Sequence, residues 1–88
     1  MALKLTAPAP NPVSSTATLS FAVREQTEAT VAVYDMLGRK AKTLFKGRPT
    51  PGESNRLQLD AGSPPSGSYI IRLRADGKTE VQRMAVVR

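Results

Sequence analysis

The side chains here that could carry acid–base or metal chemistry are seven carboxylates: Glu25, Glu28, Asp35, Glu53, Asp60, Asp76 and Glu80. With no Cys and no His among 88 residues, thiolate nucleophiles, imidazole bases and the zinc sites built from either are excluded. An oxygen-ligand site needs clustered acids. The nearest two in sequence are Glu25 and Glu28, and no stretch has the spacing of a calcium loop. Nor do the six glycines form a phosphate-cradling G-x-G-x-x-G or P-loop. These patterns predict a protein that is not an enzyme, with no catalytic residue, no metal ligand and no cofactor.

Charge is the next place to look for a partner. The chain carries a formal net charge of +6. Between Met36 and Gly52 there is no acid, while Arg39, Lys40, Lys42, Lys46 and Arg48 fall inside that window. Such a run either faces an anion or guards the edge of a sheet, since edge lysines discourage strand-to-strand association. Nucleic-acid readers interleave stacking aromatics with their charge, and the only ring in the window is Phe45. Edge protection is therefore the favoured reading, and no nucleic acid is expected as a partner.

The elements that would position these residues are short strands. Seven prolines among 88 residues argue against long helices, and a chain this size hides roughly 60–65% of its surface on folding, enough for one thin core. Ala7-Pro8-Ala9-Pro10-Asn11-Pro12 reads as an extended lead-in segment, because residues before proline are pushed toward β or polyproline geometry. From Thr16, Ala17, Leu19, Phe21 and Val23 alternate with Thr18, Ser20, Ala22 and Arg24, the signature of a half-buried strand. Thr30–Tyr34 is β-branched and bulky, as strands favour. Asp35-Met36-Leu37-Gly38 then has the form of a type I turn, with Asp first and Gly fourth.

Arg39–Phe45 and Asn55–Leu59 continue the pattern. Ser68–Arg74 should place Tyr69, Ile71 and Leu73 inward, and Asp76-Gly77 is a favoured hairpin turn. The last strand, Thr79–Val87, can be read with either face inward. Met84 and Val86 are preferred as the buried pair, because the other choice drags Arg83 into the core. Tyr34 and Tyr69 are expected to be core rings with hydroxyls at the rim. The chain as a whole is predicted to be all-β, an immunoglobulin-like antiparallel β-sandwich of about seven short strands.

Read in order, several blocks resemble one family. They are Pro10-Asn11-Pro12, Thr16–Val23, Val31-Ala32-Val33-Tyr34-Asp35-Met36-Leu37-Gly38-Arg39, Pro51-Gly52, Pro65-Ser66-Gly67-Ser68-Tyr69-Ile70-Ile71-Arg72-Leu73 and the closing Met84-Ala85-Val86-Val87-Arg88. Together they resemble the type A C-terminal sorting domain of type IX secretion substrates, from about Ala9 to Arg88. The sequence departs from that family's pattern at Ser54-Asn55-Arg56, where a small, threonine-rich strand start is usual, and at Arg88, where a lysine is usual.

The resemblance implies a targeting module rather than a catalyst. It implies a cargo domain upstream, with residues 1–12 as an extended linker from it and residues 13–88 as the sorting domain. It implies recognition by an outer-membrane translocon, then removal by a sortase-like cysteine peptidase, so that the cargo is secreted or displayed at the cell surface by way of the periplasm and outer membrane. The surface expected to be read comprises Asp35, Gly38, Arg39, Gly67, Tyr69, Met84, Ala85, Val86, Val87 and Arg88, with Pro10, Asn11 and Pro12 as the lead-in motif. No apolar run approaches the ~18 residues of a membrane span, so no direct membrane insertion is expected, and the domain is expected to be a monomer. The alternative is a structural or accessory immunoglobulin-like module, a spacer or carbohydrate binder of a multidomain extracellular protein.

Overall fold

The computed structural model describes residues 3–9, 15–60 and 65–87. Its strands are Leu3–Leu5 (β1), Thr16–Val23 (β2), Ala29–Asp35 (β3), Lys40–Gly47 (β4), Asn55–Asp60 (β5), Gly67–Ala75 (β6) and Lys78–Val86 (β7). They build two antiparallel sheets with no helix among the described residues, one of order β1-β2-β5 and one of order β4-β3-β6-β7. Each sheet turns one face to the other, which is why period-two alternation runs through the chain.

The core lies between the sheets. Ala17, Leu19, Phe21 and Val23 on β2 meet Val31 and Val33 on β3 and Ile71 and Leu73 on β6. Phe21 and Phe45 bridge the layers, their ring centroids 5.0 Å apart and tilted by 57°, the offset geometry that aromatic quadrupoles favour. No described polar or charged residue is buried, so the interior carries no desolvation cost of that kind.

The ambiguous last strand resolves as expected. Met84 and Val86 are each 2% exposed, whereas Val81 and Val87 are each 54% exposed. Leu59 is buried, with Leu57 packed at the core margin. Asp76 (φ 53°) and Gly77 (φ 72°) make the two-residue turn between β6 and β7, and left-handed backbone at both positions is what such a turn requires.

Two expectations need correction. Tyr34 is not a core ring. Val31 and Val33 point inward, so alternation sends Tyr34 to the outer face of its sheet. There it is half-buried beneath Arg72, whose guanidinium carbon lies 4.3 Å from the ring centroid and whose Nη2 donates to Tyr34 Oη at 2.6 Å.

The second concerns the lead-in segment, which begins as a strand. Leu3, Lys4 and Leu5 pair with Val23, Ala22 and Phe21, and Leu3 and Leu5 are core residues. The segment stays against β2 beyond β1. Thr6 N–H donates to Ser20 O and Ser20 N–H to Thr6 Oγ1, each at 2.9 Å, and Ala9 bridges Thr18. Three residues are too few for alternation to announce a strand, and the following prolines point away from one. Pro10, Asn11, Pro12 and Arg88 lie outside the described residues.

The four-stranded sheet has two unlike edges. On β4, the register against β3 slips between Val31 and Ala32 and again between Val33 and Tyr34, so Leu44 and Ala41 are bulged residues. Bulges and the exposed Lys40, Lys42 and Lys46 are both devices that blunt an edge, and the basic window therefore falls where the edge-protection reading puts it. At the opposite edge, β7 pairs with β6 without a register break from Lys78 to Val86. Gln82 Nε2 donates to Leu5 O at 3.0 Å, tying β7 to the first strand of the other sheet.

Candidate docking site at one end of the four-stranded sheet

The Asp35 turn organises one end of the sheet. Asp35 Oδ1 accepts from the backbone N–H of Leu37 and of Arg39, each at 2.9 Å, and Oδ2 accepts from Arg39 Nε at 2.8 Å. Gly38 N–H donates to Asp35 O at 3.1 Å, closing the turn, and Asp35 N–H donates to Arg39 O at 3.0 Å. Gly38 has φ +85°, a left-handed conformation that a β-carbon would strain. The Arg39 backbone N–H holds the Asp35 carboxyl below its ordinary value of 3.8; desolvation, the next largest effect, opposes it, and the Arg39 side chain and the Leu37 N–H add to the lowering.

The turn pushes two large apolar side chains into water, Met36 at 59% and Leu37 at 79% exposed. The sequence reading did not single them out. The signal was available, since the two central positions of a four-residue turn have nowhere to hide an apolar side chain.

The strand registers bring the other blocks alongside. Asp35 pairs with Tyr69 across β3 and β6, and Tyr69 pairs with Met84 across β6 and β7. Ser68 faces Ala85 and Gly67 faces Val86. Tyr69 is buried, and its hydroxyl donates to Pro65 O at 2.6 Å, which fixes the chain entering β6. A hollow of about 230 Å³, lined by Met36, Ser68, Tyr69, Arg83, Met84 and Ala85, opens between the turn and the ends of β6 and β7.

Asp35, Gly38, Arg39, Gly67, Tyr69, Met84, Ala85, Val86 and Val87 thus meet at one end of the sheet. They are not equally accessible. Met84 and Val86 face the core, which leaves half-buried Ala85 and exposed Val87 on the accessible side of this stretch. Among the described residues no three acidic side chains group closely enough to hold a metal ion. What this end offers chemically is a small hollow with apolar and cationic walls beside a rigid hairpin tip.

A crystal structure of dimeric latent PorU from Porphyromonas gingivalis shares the fold, at a TM-score of 0.67 and 23% identity. The likeness covers 97% of this chain, which spans 9% of the length of that protein's chain. No curated protein matches the sequence. The profile of the family described as "Secretion system C-terminal sorting domain" matches residues 9–87. The chain belongs to that family, the C-terminal sorting signals of the type IX secretion system, which mark the proteins carrying them for secretion or display at the cell surface.

Proposed function

We propose that the end of the sheet where Asp35, Tyr69 and Met84 align is the surface by which the export machinery reads this domain. The observation that supports it most directly is that row of register partners, which brings three separate sequence blocks to one end of the sheet. The partner is the outer-membrane translocon of the type IX system. It engages the Met36–Leu37 tip, the Ala85–Val87 stretch with Arg88, and the regular β7 edge, where main-chain bonds supply affinity and alternating side chains supply selectivity.

In this reading the domain acts as a monomeric tag and not as a catalyst. Cargo is attached ahead of β1, whose Leu3 and Leu5 are part of the folded body. A sortase-like cysteine peptidase cuts between the cargo and β1, after which the cargo is released or held at the surface.

A reporter fused ahead of the chain tests the reading in a host with a working type IX system. Removing Ala85–Arg88 is expected to abolish export. Because that deletion also takes away buried Val86, Leu37→Ser and Val87→Ser are tested beside it, and each is expected to lower export severalfold while leaving the folded fraction unchanged. Normal export of all three variants would refute the proposed surface.

A further inference from the structure

The two outer faces of this sandwich differ sharply in charge. Alternation and register place Lys40 and Lys46 of β4, Arg72 and Arg74 of β6, and Arg83 of β7 on the outer face of the four-stranded sheet, with no carboxylate at any outward strand position. On the other sheet the outward charged positions are Lys4, Arg56 and Asp60, among threonines and serines. Lys40, Lys46 and Arg74 make no ion pair with any described residue. The cations lie in rows: Lys40 and Arg83 flank Tyr34 and Ile70, Arg72 stands beside Val81, and Lys46 and Arg74 flank Thr30.

Charge alone would suit any polyanion. The exposed apolar groups narrow the choice: Val81 stands on this face at 54% exposure, and Met36 and Leu37 project at its end. A dissolved polyanion offers those side chains nothing. A bilayer offers phosphates to the cations and an acyl boundary to the apolar tip, the combination by which peripheral proteins hold a membrane surface.

We propose that the outer face of the β4-β3-β6-β7 sheet is a peripheral docking surface for anionic lipid headgroups, with Met36 and Leu37 as the inserted tip. The inference goes beyond the sorting reading and stands or falls separately from it. It concerns contact with the bilayer surface and invokes no spanning strand.

Cosedimentation of the 88-residue chain with vesicles tests it, using phosphatidylcholine alone and phosphatidylcholine with about 30% phosphatidylglycerol, at about 0.1 M salt. Capture is expected on the anionic vesicles and not on the neutral ones, falling at least about tenfold when salt is raised to about 0.5 M. Lys46→Glu with Arg74→Glu is expected to lower capture by more than about tenfold. Met36→Ser with Leu37→Ser is expected to lower it severalfold; all these sites are exposed, and circular dichroism confirms that each variant stays folded. Equal capture on both vesicle types, no capture on anionic vesicles, or capture indifferent to the tip substitutions would each overturn the proposal. So would full displacement by inorganic polyphosphate at charge parity, which would assign the face to a dissolved polyanion.

Discussion

Asp35 and Tyr69 face each other across β3 and β6, and each fastens a different connecting segment. The Asp35 carboxylate reaches forward to hold the turn through Arg39, while the Tyr69 hydroxyl reaches back to the Pro65 carbonyl. One rung of the ladder therefore secures both segments that frame the candidate site. Rigidity there reduces the entropy a partner's docking must overcome.

The Asp35 carboxyl ionises more easily folded than unfolded, so its contribution to stability is complete above pH 3.8 and is lost as pH falls through the lower folded-state value. Thermal unfolding between neutral pH and about pH 2 is expected to show a steeper acid loss for the parent than for Asp35→Asn. Parallel curves would mean that the bonds to Leu37 and Arg39 are not linked to this charge.

Tyr69→Phe keeps the buried ring and deletes the bond to Pro65 O. A loss of roughly 0.5–1.5 kcal/mol is expected, which for a domain of this size lowers Tm by several degrees, at about 4–8 °C per kcal/mol. An unchanged Tm would show that the Pro65 tether contributes nothing net.

Leu5→Ala is expected to cost about 2–5 kcal/mol, because Leu5 is 5% exposed and its removal opens a hole where the two sheets meet. Lys4→Ala, on the outward side of the same strand, is expected to stay within about 0.5 kcal/mol. Urea midpoints distinguish them. Equal midpoints would mean that β1 adds nothing to the core.

The same contrast applies along β7. Met84→Ala is expected to cost about 2–5 kcal/mol, while Val81→Ser changes stability by no more than about 0.5 kcal/mol. A destabilising Val81→Ser with a neutral Met84→Ala would put the opposite face of this strand inward.

Much of the sandwich was legible because strand alternation is a local property. Leu19 and Phe21, or Ile71 and Leu73, declare their face within a few residues, and the Asp35–Gly38 and Asp76-Gly77 turns follow from the backbone conformations their residues allow. Tyr34 was misplaced because ring size suggested a core position, whereas its side is set by the parity of Val31 and Val33. The short β1 escaped notice because Leu-Lys-Leu alternates for only one period before the prolines begin.

The amino-acid order alone settled the class of fold, the turns and the inward set on most strands, since each depends on neighbours in the chain. It also carried the blocks that place the molecule in its family. Folding decided the rest: that Asp35, Tyr69 and Met84 share a row, that lysines guard one edge while the other stays regular, and that cations gather on one outer face. Those relations depend on which strands pair and in what register, and pairing is fixed only when two sheets close over a common core.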